Sequence, residues 1–104
     1  MEERTLKFAE RVAGYVERLP RTISNGEFGK QLVRSAGSVG ANYIEANESL
    51  GKRDFAMRIK IAKKESKESQ YWIRLSKPDS SQQGEKEYLD RESSELMKIF
   101  GSIA

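Results

Sequence analysis

The chain has 104 residues, 34% of them charged and 37% apolar, and a formal net charge of +3. It contains neither cysteine nor histidine, which excludes disulfides, thiolate metal sites, the Glu-x-x-His ligand pair of di-iron bundles and the usual general base near neutral pH. No apolar run approaches the ~18 residues of a membrane span and the charged opening is unlike a secretory signal, so the expectation is a single cytoplasmic domain, 1–104, without membrane contact, cofactor or small-molecule substrate.

The first segment, Glu2 to Leu19, places Leu6, Ala9, Val12, Ala13, Val16 and Leu19 at three- and four-residue steps. That is the stripe of an amphipathic helix, and Phe8 and Tyr15 widen it on one flank. Pro20 stops it, because its ring removes a donor and clashes with the preceding turn. In the connector that follows, Ser24 or Asn25 is placed to cap the second helix.

That second helix is expected over about Glu27 to Ser49, with Phe28, Leu32, Ala36, Val39, Tyr43 and Ala46 on its apolar face. Gly37 and Gly40 each cost it roughly 1 kcal/mol relative to alanine. The third helix opens with Asp54 as its cap and runs to about Leu75, carrying Phe55, Ile59, Ala62, Ser66, Ser69 and Ile73 on one stripe. Met57, Ile61, Trp72 and Leu75 form a neighbouring stripe. "SKPDSSQQGE" reads as a loop, and the last helix spans about Glu85 to Ile103, with Leu89, Leu96, Phe100 and Ile103 facing the core. No segment alternates with period two. Four amphipathic segments joined by short connections predict an all-α fold, an antiparallel up-down four-helix bundle.

Several chemical readings fall away. Glu45, Glu48, Glu65 and Glu68 are the only carboxylates that suggest a cluster, and Lys64, Lys67 and Arg34 are on hand to pair with them, so ordinary ion pairing is the reading and no metal is expected. "GEFGK" has two residues between its glycines where a phosphate loop needs four. "GSVG" matches a loop of an RNA-binding module that requires a mixed sheet, and this chain has none. Gly37 and Gly40 are therefore read as places where a neighbouring backbone comes close, with Asn42 and Glu45 as hydrogen-bonding fixtures at a helix or subunit junction.

Charge is the remaining signal. Residues 1–50 balance at 7 basic and 7 acidic, residues 51–78 carry 9 against 3, and residues 79–104 carry 3 against 6. Within the basic segment Arg53, Lys60, Lys67 and Arg74 recur every seven residues, so they lie along one line of a helix. Lys63 and Lys64 border that line, and Lys52 adds charge at its start. Lysines three and four apart repel one another, and a stripe of this kind is the electrostatic footprint of phosphate binding. Trp72 is read as core, while Tyr71 is open to either a core or a stacking role. The rival reading is an adaptor that recruits a protein partner, its lysines serving solubility.

The stretches "LVRSAGSVGANYIEANESLGKRDFAMRIKIAKKESKESQYWIRL" and "SSELMKIFGSI" resemble the small helical proteins associated with intervening sequences of bacterial large-subunit (23S) ribosomal RNA genes. The chain departs from many relatives in having Gly40 and Ala41, not proline, before Asn42, and "EANES" after Ile44. The resemblance implies a four-helix bundle assembled as a ring-like homopentamer, with no settled activity. With the basic stripe it leads to the expectation of a non-enzymatic oligomer that binds RNA through Lys52, Arg53, Lys60, Lys63, Lys64, Lys67 and Arg74. The subunit interface is expected on exposed apolar residues of the second and third helices.

Overall fold

Residues 1–103 are described by a computed structural model and form four helices: α1 (Glu2–Glu17), α2 (Ile23–Asn47), α3 (Lys52–Leu75) and α4 (Gln83–Ile103). A 3-10 turn over Ser80–Gln82 leads into α4, and there is no strand among the described residues.

Successive helices run antiparallel, because the numbering of paired side chains is opposed. Arg34 and Ser35 of α2 meet Glu68 and Ser69 of α3, while Asn42, further along α2, meets Arg58, further back on α3. Val16 of α1 lies against Gly29 and Thr5 against Gly40. Arg4 pairs with Glu92 and Arg11 with Glu85, closing α1 onto α4. The result is an up-down bundle, 45 Å long and 21 by 19 Å across.

Most of the core follows the spacing. Leu32, Ala36, Val39 and Ala46 of α2, Ile59, Ala62 and Ile73 of α3, and Leu89, Leu96 and Phe100 of α4 share one buried cluster. The flanking aromatics are half-buried around it: Phe28 stacks on Trp72 with ring centroids 6.1 Å apart, and Tyr43 meets Phe100 at 6.0 Å.

The first helix is rotated from the expected stripe. Phe8 is 1% exposed and Leu6 59% exposed, so the buried line is Thr5, Phe8, Val12 and Tyr15, and what looked like a flank is the centre. Aromatic rings bury more apolar area than leucine and alanine. Tyr15 also anchors the helix, sharing a 2.6 Å hydrogen bond with the Ser76 hydroxyl at the end of α3.

Helix ends differ as well. α1 stops at Glu17, because proline disfavours helical geometry in the residue before it. The cap of α2 is Thr22, whose hydroxyl accepts the Asn25 N–H at 3.1 Å, not Ser24 or Asn25. Asn25 instead ties the two loops at one end of the bundle. Its amide donates to the carbonyls of Pro20 and Lys77 at 2.9 and 3.0 Å, and its oxygen accepts the Lys77 N–H at 2.9 Å. α3 begins at Lys52, after an extended Gly51, which leaves Asp54 in the first turn, where its charge complements the helix dipole. The predicted loop is shorter than expected: Asp79 caps the 3-10 turn and α4 is under way at Gln83.

A neighbouring helix comes close at Gly40, as expected, and at Gly29, but not at Gly37. A Cβ at Gly29 would lie 2.7 Å from Val16 Cγ1, and one at Gly40 would lie 3.0 Å from Thr5 Oγ1. Nothing lies within 4 Å of one at Gly37. Between α2 and α3 the small buried residues are serines: Ser35 and Ser69 share a hydrogen bond at 2.9 Å.

Candidate nucleic-acid interface

The alternation that buries Ile59, Ala62, Ser66, Ser69 and Ile73 turns the opposite arc of α3 outward. Lys52, Arg53, Lys60, Lys63, Lys64, Lys67 and Arg74 are all exposed on it. At 1.5 Å per residue the line from Arg53 to Lys67 is about 21 Å long. Among the described residues, the first six of these cations make no ion pair. Glu65 and Glu68 are engaged by Arg34, and Asp54, exposed in the first turn of α3, forms no ion pair with these cations, so the arc keeps a net positive field.

Two members of the set have a structural contact. Arg74 donates to both carboxylate oxygens of Asp90 on α4, at 2.8 and 3.2 Å, and that hydrogen bond, with the adjacent charge, raises its pKa. Its charge is thereby compensated within the fold. The Lys63 ammonium lies over Gly101 of α4, 3.3 Å from where a Cβ would sit.

The carboxylates of α3 converge on α2. Arg34 donates to Glu68 at 2.7 Å and lies 3.6 Å from Glu65, so this one guanidinium, rather than Lys64 or Lys67, serves both acids. Glu65 is buried, and its Oε1 has no hydrogen-bond partner. Burial, then the hydrogen bond and charge of Glu68, hold its pKa above the ordinary carboxylate value against the pull of Arg34. Burial opposes ionisation of Glu68 too, but the Arg34 and Glu65 hydrogen bonds outweigh it and lower its pKa. Glu45 and Glu48 are exposed and stand apart from this pair, and no metal-binding group of carboxylates occurs among the described residues.

These opposite shifts give a stability prediction. A carboxyl whose folded pKa is raised contributes its stability at acid pH and loses it as pH climbs through the raised value. Glu68, whose pKa is lowered, contributes above the ordinary value and loses it as pH falls through the lowered one. Glu65→Gln removes the carboxyl whose pKa burial and Glu68 raise, and puts an amide N–H beside Glu68 at every pH. The variant is expected to be more stable than the parent near pH 8 by about 1 kcal/mol, the scale of one unsatisfied buried polar atom. Urea midpoints measured at pH 5 and pH 8 check it: the gain must appear at pH 8 and shrink at pH 5.

Asn42 bridges helices. Its amide donates to the Ser38 carbonyl at 2.9 Å and its oxygen accepts from Arg58 at 3.2 Å. Glu45 is exposed, and its side chain takes part in no hydrogen bond among those described. Gly29 is a contact residue that the glycine motifs did not mark, and Asn25, expected as a cap, is buried as a tie between loops. Both continue the buried line Leu32, Ala36, Val39 towards the N-terminus at steps of four and three, which is the signal that marks them.

Fold and surface together define a class: an all-helical bundle with no metal-binding group of carboxylates among its described residues, and with an outward helix face that is net positive. The chain matches the family model of the 23S rRNA-intervening sequence protein over residues 2–102, and it belongs to that family. A similar solved structure is a protein of unknown function from the S23 ribosomal protein family of Bacteroides thetaiotaomicron VPI-5482. The two chains are 29% identical, with a TM-score of 0.83 over 98% of this chain and 95% of that one. No curated protein matches. No helix among the described residues is long and apolar enough to cross a membrane.

Proposed function

We propose that the protein is a non-enzymatic, homo-oligomeric bundle that binds RNA through the outward face of α3. The observation that carries this reading is the run of six exposed cations, Lys52, Arg53, Lys60, Lys63, Lys64 and Lys67, with no intramolecular ion pair among the described residues. Surface lysines that serve only solubility are normally interspersed with acids. Here the nearby acids Glu65 and Glu68 turn towards Arg34 and leave the lysines unneutralised. The name of the family supports RNA as the polyanion. Contact of this kind neutralises phosphates and reads little sequence.

Self-association is supported by α2. Val33 and Ile44 are exposed on one side of it, with the open position Gly37 between them, a line flat enough for a second copy to approach. The family resemblance implies five copies. This line is distinct from the basic arc of α3, so assembly on α2 leaves the cations accessible.

A salt titration tests the reading. On a single strand the slope of log K against log salt is about −0.7 per neutralised phosphate, so six contacts give a slope near −4 per protomer and a loss of about 300-fold between 50 and 200 mM salt. Fluorescence anisotropy with a labelled ribosomal RNA fragment, alongside solution mass, reads both halves of the proposal. Affinity that ignores salt, or no retention of RNA at low salt, favours the adaptor reading.

A further inference from the structure

Tyr71 is 58% exposed, a large aromatic standing near the C-terminal end of the basic arc of α3. It follows Lys64 by seven residues and Lys67 by four, which places it on the same side of the helix as both. Its ring is not loose. It meets Trp72 edge-on with centroids 5.0 Å apart, and Trp72 is in turn stacked on Phe28 of α2. No hydrogen bond of the Tyr71 hydroxyl occurs among the described residues, and more than half of the residue is open to solvent. Met57, 48% exposed, lies two heptads back on the line through Lys64, so Lys60, Lys63, Lys64 and Lys67 fall between two exposed side chains about 21 Å apart.

Phosphate neutralisation alone uses lysines and arginines and has no need of a supported, outward-facing ring among them. Aromatic faces beside a phosphate-binding groove take stacked bases, and every base offers such a face once it is unpaired. In a duplex those faces are covered by the neighbouring base pairs, and the convex side of a helix reaches only the backbone. We infer that Tyr71 is a stacking platform for one unpaired base. The α3 face therefore selects single strands or unpaired loops over duplex, an inference that rests on the nucleic-acid reading above.

The test compares a uridine homopolymer of about 12 nucleotides with a duplex of equal length, using the full chain and its Tyr71→Ala and Tyr71→Phe variants. Trp72 is the chain's single tryptophan, so its emission reports what happens at the neighbouring ring. The expected result is tighter binding of the single strand, quenching of Trp72 on binding, and a loss of about tenfold in single-strand affinity in Tyr71→Ala. Tyr71→Phe should keep that affinity, the salt slope should be unchanged in both variants, and duplex affinity should not move. Equal losses on both substrates, or none, would overturn the stacking role while leaving phosphate binding intact. A fall in solution mass of Tyr71→Ala would assign the ring to a subunit contact and overturn it as well. Failure of the parent chain to bind either substrate would remove the nucleic-acid reading and this inference together.

Discussion

Replacing Lys60, Lys64 and Lys67 together by glutamate is expected to weaken RNA binding by at least about 100-fold near 0.1 M salt. The size follows from counterion release. Each lost phosphate contact on a single strand removes about 0.7 from the salt slope, and three such contacts amount to about two decades of affinity at that ionic strength. Charge reversal adds repulsion to that loss. All three side chains are exposed and without an ion pair among the described residues, so the fold should be unaffected. The three glutamates repel one another at the same three- and four-residue spacings as the lysines they replace, so helicity should stay close to that of the parent. Circular dichroism and solution mass should match the parent while the salt slope becomes shallower by about 2. By contrast Arg74→Gln should change affinity little, because that guanidinium is already held by Asp90. If the triple variant binds as the parent does, α3 is not the interface.

Phe8→Ala is expected to cost about 3–5 kcal/mol of stability, against less than about 0.5 kcal/mol for Leu6→Ala. Phe8 belongs to the buried cluster, and deleting its ring leaves a cavity that backbone packed on two sides cannot close. Leu6 faces solvent and gives up little area. Small domains are stable by only about 5–15 kcal/mol, so the first change takes a large share and the second is barely measurable. Urea unfolding with unchanged slope and shifted midpoint checks both. Comparable losses at the two positions would mean that α1 packs on the Leu6 stripe.

That pair of residues marks where sequence reading ends. Composition and the three- and four-residue recurrence of apolar side chains determined that the chain is helical, that it has four amphipathic segments, and that Leu32, Ile59, Ile73, Leu89 and Phe100 are core. In α2 and α4 one apolar stripe dominates, and in α3 the stripe through Ile59, Ala62 and Ile73 is the one that is buried. α1 carries two overlapping stripes that share Val12, one running through Leu6, Ala13 and Val16 and the other through Phe8 and Tyr15. Periodicity is satisfied by either, and the choice fell to partners distant in the chain, such as Ser76 against the Tyr15 hydroxyl.

The candidate interface divides in the same way. The seven-residue recurrence of Arg53, Lys60, Lys67 and Arg74 put their charges on one helix line from the sequence alone. Which of those charges stay uncompensated depends on Asp90, 16 residues from Arg74, and on Arg34 of the facing helix, and so only tertiary structure decided it. Asp90 takes Arg74, and Arg34 of α2 takes the glutamates that lysines one turn away were equally placed to neutralise. Local spacing determines which side chains share a face. Helix packing decides which of them find a partner across it, because an ion pair needs both groups within a few ångströms, whatever their separation along the chain.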